Sequence, residues 1–338
     1  MLLKPVHLRT MRSAMATKKG KIVQRTKRGK FYWGDSVQVL SSSLGAKLKG
    51  KVQLILTSPP FPLNNKKSYG NLNGDRYEQW FSELAPLFAD LLAPKGSIVI
   101  EMGNAWMPKR PVQSLLHLQS LIAFVKNPQT SLRLCQQFIC YNPSRLPSPA
   151  QWVTVKRIRA TDSFTHIWWM AKTDYPKADN RRVLRPYSAS MKALLKRQTY
   201  NAGKRPSEHQ ISKNGFLVRH RGSIAPNFFE LESMEPSRIV RLANSFSLSN
   251  TNSNDFFFRK CRERKLVPHP ARMPTGLCSF FIQFLTTRGD LVLDPFAGSN
   301  TTGFTAELLG RRWASIEVRK EYAKQSAIRF MDPALRTK

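Results

Sequence analysis

Apolar residues follow two spacings along the chain, and together these spacings predict an α/β protein. Apolar runs within 52–56 (VQLIL), 97–102 (SIVIEM) and 161–173 (TDSFTHIWWMAKT) are typical of strands buried on both faces. Over residues 77–93 the apolar side chains instead recur every three or four positions, which predicts a helix with one face on the core. Because strands and helices alternate from Phe31 onward, we expect a mostly parallel sheet covered by helices.

The segment LVLDPFAGSNTTG (291–303) predicts a strand, a tight glycine turn and a helix that begins near Asn300. RRWASIEV (311–318) follows as a second strand that ends near Glu317. Gly298 would let the backbone approach a ligand, the helix start would offer unpaired N–H groups, and Glu317 could accept hydrogen bonds from a ribose. A structural glycine turn is the alternative, but the acid after the second strand favours a nucleoside-bearing cofactor.

The segment TSPPF (57–61) ends the strand VQLIL with a hydroxyl, two prolines and an aromatic ring. Neither proline can donate to a strand ladder, and both have a fixed φ. The prolines would therefore hold Ser58 and Phe61 rigidly at the carboxyl edge of the sheet, where ligands bind in open α/β proteins. A stiff loop after an ordinary core strand remains the alternative interpretation.

Charge points to a polyanionic partner. The chain carries 55 Lys and Arg against 21 Asp and Glu, a net charge of +34, and such an excess destabilises a compact protein unless a polyanion neutralises it. Nucleic acid is the first candidate and an anionic membrane surface the second. No apolar run approaches the roughly 20 residues that a membrane-spanning helix needs. The cysteines are scattered without CxxC or zinc-type spacing, so we expect free thiols in a reducing compartment and no metal.

The chain divides by composition into four parts. Residues 1–30 hold ten Lys and Arg and no acid, and predict a flexible basic arm, although an organellar transit peptide or a true start at Met15 fits the same composition. The remaining parts are a first α/β portion (31–173), a basic insert and Ser/Asn-rich linker (174–254) and a second α/β portion (255–332).

The two motifs together resemble those of the DNA amino-methyltransferases, in the permuted order of the beta group, with the TSPPF-type tetrad first. The resemblance runs from about Phe31 to Asp332 and includes GDS (34–36), YGNL (69–72), NPSRLPSP (142–149), Trp168 and Trp169, HPAR (269–272) and GSNTTG (298–303). It implies a Rossmann-like, S-adenosylmethionine-dependent methyltransferase fold with circularly permuted motif order and a smaller basic target-recognition insert.

The resemblance assigns roles to individual residues. Ser58 and the Pro59 carbonyl would accept hydrogen bonds from the target amine, Pro60 would hold the tetrad rigid, and Phe61 would stack on an extruded base. Glu101 would orient Ser58, or would be a buried structural carboxylate. The cofactor would be held by Asp35, Thr57, His269, Asp294, Phe296, Gly298, Asn300, Thr301 and Glu317. A helix cap at Asp35 or Thr301 and a core histidine at 269 are the structural alternatives.

The product and partners follow from the same resemblance. Serine in the tetrad favours cytosine N4 over adenine N6, and no Pro-Cys nucleophile is present for attack at ring carbon 5. We expect double-stranded DNA as substrate, functional pairing with a restriction endonuclease, no required protein partner, and a cytoplasmic, nucleoid-associated location. An adenine or RNA methyltransferase, or a nucleic-acid-binding protein that has lost catalysis, remain the alternatives.

Overall fold

The computed structural model describes residues 20–61, 74–231, 246–248 (backbone only), 255–269 and 272–335. The predicted motif YGNL (69–72), most of the basic arm, most of the linker, and residues 270–271 of HPAR lie outside the described residues. Among the described helices, none is long and apolar enough to cross a membrane.

Strands and helices alternate through most of the described chain. The strands are β1 (Lys21–Arg25), β2 (Gly29–Trp33), β3 (Val52–Thr57), β4 (Leu92–Gly103), β5 (Ala105–Trp106), β6 (Gln113–Ser114), β7 (Arg133–Tyr141), β8 (Phe164–Ala171), β9 (Gly203–Lys204), β10 (Gln210–Ile211), β11 (Phe228–Leu231), β12 (Phe246–Leu248), β13 (Leu291–Asp294) and β14 (Arg312–Glu317). The α-helices are α1 (Ser36–Leu40), α2 (Ser43–Leu48), α3 (Gly74–Leu91), α4 (Leu116–Val125), α5 (Ala189–Arg197), α6 (Phe256–Glu263), α7 (Thr275–Leu285), α8 (Thr301–Leu308) and α9 (Lys320–Gln325). A π-helical turn spans Gln151–Val155, and 3₁₀ turns span Asn180–Arg182, Ser326–Met331 and Pro333–Leu335.

In the described chain, ten strands form one sheet in the order β1-β2-β14-β13-β3-β4-β8-β7-β11-β12. The pairs of β1 with β2 and of β8 with β4 and β7 are antiparallel, and the others are parallel. The sheet is therefore mostly parallel, as the apolar runs predict, and the carboxyl ends of β2, β14, β13, β3, β4 and β7 meet at one edge.

Helices cover both faces of this sheet. Leu54 and Leu56 of β3 belong to a core cluster that includes Leu277 and Phe281 of α7. Ile55, which points to the other face, belongs to a second cluster that includes helix α3. Every residue of β3 is buried, which explains why its sequence is a continuous apolar run and not an alternating one.

The crossover connections that leave β3 and β13 run in opposite directions across the sheet. From β3 the chain crosses over α3 to β4 on one side, and from β13 it crosses over α8 to β14 on the other. Such a switch point leaves a crevice at the carboxyl ends of the two central strands. TSPPF follows β3 and the glycine turn follows β13, so both motifs open into this crevice.

The structure contains strands inside two of the predicted parts of the chain. The basic arm was expected to extend to residue 30, but β1 pairs with β2 in a hairpin at the edge of the sheet. Gly29 in that hairpin lies directly under Trp313, where a Cβ atom would come within 2.1 Å of the ring, so this part of the arm is packed structure. The insert was expected to extend to residue 254, yet β11 and β12 extend the central sheet beyond β7. These strands are only three or four residues long, too short for a clear sequence pattern.

Candidate active site

A hydrogen bond joins the two motifs at the switch point. Thr57 Oγ1 donates to Asp294 Oδ1 over 2.7 Å, although the two residues are 237 positions apart. The same Asp294 oxygen accepts the backbone N–H of Phe296 at 3.1 Å, and the Thr302 hydroxyl also bonds the carboxyl group. Burial raises the pKa of Asp294 to about 6. Thr57 is fully buried and its hydroxyl holds Asp294, while its predicted part in binding the cofactor stays a prediction.

The glycine turn is held by Glu317. Gly298 has a φ of +50°, and a Cβ atom there would lie 3.3 Å from the His269 ring, so both conformation and space favour glycine. The Gly298 N–H donates to Glu317 Oε2 at 2.9 Å, and the Arg319 N–H donates to Oε1 at 2.7 Å. Glu317 is only 8% exposed, and burial raises its pKa to about 7.

Asn300 caps the helix that follows the glycine turn. It adopts the left-handed conformation, with φ +61°, and its Oδ1 accepts from Gly303 N at 3.1 Å and from the Ser315 hydroxyl at 2.7 Å. Its Nδ2 is buried and has no hydrogen-bond partner among the residues that the structure describes. Thr301 is buried at the start of α8. The sequence pattern selected Thr301, whereas the hydroxyl that reaches Asp294 belongs to its neighbour Thr302.

Asp35 and His269 lie on two other segments of the chain, near the end of β14 and the glycine turn respectively. Asp35 follows β2, whose end pairs with the end of β14 at Glu317. Its Oδ1 accepts the Gln38 N–H at 3.0 Å and so caps α1, the structural alternative named above. The His269 ring packs edge-on against Tyr322 of α9, with ring centroids 4.5 Å apart, and lies over Gly298.

Contacts with α3 and β4 hold the tetrad SPPF (58–61) in place. The Tyr77 hydroxyl donates to the Pro60 carbonyl at 2.8 Å. Phe61 lies against Gly103, where a Cβ atom would come within 2.7 Å of the ring. Trp80 of α3 packs against Phe296, with centroids 5.8 Å apart, so aromatic rings connect the base-side and cofactor-side motifs. Sequence reasoning missed Tyr77 and Gly103, because each acts on a partner distant in sequence.

Glu101 of β4 is hydrogen-bonded to Ser58, as the predicted orienting role requires. Thr165 Oγ1 also donates to Glu101 Oε1, at 3.1 Å. Desolvation raises the pKa of Glu101, and the nearby positive charge of Arg145 partly offsets this rise. The pair Ser58–Glu101 can therefore accept a hydrogen bond at the serine oxygen while the serine hydroxyl donates to the carboxylate.

A polar network behind the tetrad was not predicted. Asn104, directly after Gly103, donates from Nδ2 to Asp162 Oδ1 at 2.6 Å, and its Oδ1 lies 2.8 Å from His166 Nε2. Trp106 Nε1 also donates to Asp162, at 3.2 Å. Burial lowers the pKa of His166 to about 4, which keeps its ring neutral. The network ties the end of β4 to the start of β8 and holds the backbone on which Phe61 rests.

Comparison with known proteins agrees with this geometry. The chain matches the DNA methylase family over residues 52–328. It is 38% identical to the type II methyltransferase M.PvuII of Proteus hauseri over 309 residues, which cover 91% of this chain and 85% of that protein. A shorter match, 44% identity over 66 residues, links 20% of this chain to 22% of the DNA adenine methyltransferase YhdJ of Escherichia coli strain K12.

The fold agrees as well. The solved structure of PvuII DNA methyltransferase (cytosine-N4-specific) superposes with a TM-score of 0.69 at 34% identity, covering 93% of this chain and 90% of that one. The family match spans both motifs, from β3 with TSPPF to β14 with Glu317. The alignment with M.PvuII also includes the insert between the two motifs. Because these matches include both halves of the crevice, the chain belongs to the DNA methylase family and is a DNA methyltransferase.

Proposed function

We propose that the protein transfers a methyl group from S-adenosylmethionine to the exocyclic N4 of a cytosine turned out of duplex DNA. The observation that carries this proposal is the 2.7 Å hydrogen bond from Thr57 to Asp294, which holds the ends of β3 and β13 together, so that the tetrad and the glycine turn that follow them would form two walls of one crevice. A methyl donor on one wall and an acceptor base on the other is the arrangement that direct transfer needs.

The cofactor wall, which is the side of the crevice formed by Gly298, Asn300 and Glu317, fits a nucleoside with a charged amino-acid tail. The positive φ of Gly298 opens the backbone to a ligand, the Asn300 Nδ2 has no partner among the described residues, and Glu317 keeps acceptor lone pairs beyond its two backbone bonds. Asp294, Phe296 and His269 would line the rest. When bound, S-adenosylmethionine supplies an electrophilic methyl group on a sulfonium.

The base wall, which is the side of the crevice formed by the tetrad SPPF (58–61), would activate the cytosine amine, a poor nucleophile. The lone pair of a cytosine amine is delocalised into the ring, so acceptors that hold both N–H bonds help it localise on nitrogen. The oxygen of Ser58 and the carbonyl of Pro59 would be those acceptors, while Phe61 stacks on the base. Ser58 holds its own proton at neutral pH, but its hydrogen bond to Glu101 provides a route by which a proton leaves the amine. Because the pKa of Glu101 is raised, its carboxylate is a stronger proton acceptor than an exposed one.

Cytosine N4 is favoured as the target atom. Ser58 occupies the first position of the tetrad, and the relative that aligns over most of the chain has a solved structure named as cytosine-N4-specific. The likeness to an adenine enzyme covers a fifth of the chain only. By the same resemblance we propose a palindrome related to CAGCTG as target, a paired restriction endonuclease, and a cytoplasmic location on the nucleoid.

Duplex DNA would be gripped by the basic insert. Residues 156–221, which include the first part of this insert and the chain just before it, contain sixteen Lys and Arg against four acids. Helix α5 exposes Lys192, Lys196 and Arg197 within this segment, and Lys204 of β9 is also exposed. Such charges bind phosphate without sequence preference, while contacts to base edges would select the site.

The test is product analysis. The purified protein is incubated with S-adenosylmethionine and duplex DNA, and the nucleosides are identified by mass spectrometry; N4-methylcytosine is expected. Ser58→Ala should lower the rate by about 10² or more with cofactor affinity unchanged, since it removes an acceptor that touches the base. N6-methyladenine as the sole product would refute the target assignment. A single-turnover rate for the variant within about threefold of wild type would remove Ser58 from the mechanism.

A further inference from the structure

The loop from Asn142 to Ser163 lies at the mouth of the crevice. It connects the end of β7 to the start of β8. Because β7 and β4 both pair antiparallel with β8, the end of β7 lies at the same edge of the sheet as Gly103 and TSPPF. The loop therefore overhangs the base wall and not the cofactor wall.

Both ends of this loop are tied to the base wall. Arg145 donates from Nη1 to the Phe164 carbonyl at 3.0 Å, and its charge acts on Glu101, the partner of Ser58. At the other end, Asp162 accepts from Asn104 at 2.6 Å, and its own N–H donates to the Ser148 carbonyl at 3.0 Å. The position of the loop is thus fixed by the residues that position the tetrad.

Leu146 projects from this anchored loop. Its side chain is 82% exposed, directly after Arg145 and directly before Pro147. A second proline, Pro149, follows two residues later, and together the prolines restrict the backbone on which Leu146 stands. Single exposed leucines are common on protein surfaces, so the exposure alone carries nothing. The placement carries the argument, because an apolar side chain is held rigidly beside the entrance that a target base must pass.

We propose that Leu146 enters the base stack and fills the space that the target cytosine leaves when it turns into the crevice. This inference rests on the proposed function, since it takes duplex DNA as the substrate. Extruding a base costs stacking and pairing energy, and an apolar wedge inserted between base steps recovers part of the lost contact. Lys156, Arg157 and Arg159 are exposed on the same loop, where they can contact the flanking phosphates.

Two duplexes and three variants test the wedge. One duplex pairs the target cytosine with guanine, and the other sets it opposite an abasic site, which removes most of the cost of extrusion. Leu146→Ala should slow single-turnover methylation of the paired duplex about tenfold or more and that of the abasic duplex less than about twofold. Leu146→Met, which keeps an apolar wedge, should restore the rate. Leu134→Ala is the matched control, because Leu134 is also an exposed leucine but lies at the start of β7, at the opposite edge of the sheet.

A second readout is independent of methyl transfer. 2-Aminopurine placed at the target position gains fluorescence when it leaves the stack, so Leu146→Ala should lower this signal at saturating protein while Leu134→Ala leaves it unchanged. Equal slowing on both duplexes, or an unchanged rate and fluorescence, would overturn the wedge while leaving the proposed function intact. Failure of the wild-type protein to methylate either duplex would overturn both.

Discussion

Glu317 should make the binding of S-adenosylmethionine depend on pH near neutrality. Burial raises its pKa to about 7 from an ordinary value of 4.5. Ribose hydroxyls donate hydrogen bonds, and a carboxylate accepts them more strongly than a neutral carboxyl group does. The cofactor therefore favours the deprotonated form, and its affinity should fall as the pH drops through about 7.

The size of the effect follows from that pKa. About nine tenths of the unliganded protein carries a charged Glu317 at pH 8 and about one tenth at pH 6, so Kd should rise about tenfold, or about 1.4 kcal/mol. The stability of the unliganded protein has its own pH dependence. The folded state holds this proton more firmly than the unfolded state, so the stabilisation present below pH 4.5 is lost as the pH rises to about 7.

Calorimetric titration of the wild type and of Glu317→Gln at pH 6, 7 and 8 measures the difference. The variant keeps a side chain of similar size but cannot titrate. The ionisation of the cofactor is the same for both proteins, and Asp294, whose pKa is about 6, is also present in both. The affinity of the variant should be weaker at pH 8 by roughly 1–3 kcal/mol and nearly flat with pH, apart from that shared background. Parallel pH profiles for the two proteins would refute the assignment of Glu317 to the ribose.

Three other perturbations test the architecture around the site. Thr57→Val keeps the side-chain shape but removes the hydroxyl that Asp294 accepts, so urea denaturation should show a loss of about 2 kcal/mol; an unchanged midpoint would mean that the bond contributes nothing. Gly103→Ala would place a methyl group 2.7 Å from the Phe61 ring and should slow methylation about tenfold or more with cofactor affinity retained, whereas a wild-type rate would contradict the stacking role. Deleting residues 1–19, which carry five Lys and Arg, should reduce the salt dependence of DNA binding without changing site preference, and an identical slope would show that these charges do not contact DNA.

The sequence was most informative where a local pattern is itself the structural cause. The buried strands, the long helix before β4 and the glycine turn follow from apolar spacing and from the φ that Gly298 needs, and the structure contains all of them. The hairpin β1–β2 was missed because its strands are only five residues long, and β1, KIVQR, begins and ends with a basic residue. The hairpin is packed through tertiary contacts, the pairing of β2 with β14 and the close approach of Gly29 to Trp313, which no local pattern reports.

The residues of the site also fall into two groups, those that a local motif identifies and those that it does not. Ser58, Gly298 and Glu317 lie within short motifs, so their types and order identified them. Thr302 lies in the quoted motif GSNTTG, but the motif does not say which of its two threonines bonds Asp294. Asn104 could not be identified from a motif, because its partners Asp162 and His166 are 58 and 62 residues away. The pairing of β4 with β8 brings Asn104 to these partners, and a local pattern does not show which distant strands pair.

The central strand pair explains how a large insert can separate the two motifs without separating the two walls. β3 and β13 are neighbours in parallel register, with Ile55 opposite Leu293, so the residues that follow them emerge side by side whatever length of chain lies between. The bond from Thr57 to Asp294 fixes that register at its carboxyl end. A change in the insert would then alter which DNA is gripped, while a slip of one residue between these strands would point Thr57 to the opposite face and part the donor wall from the acceptor wall.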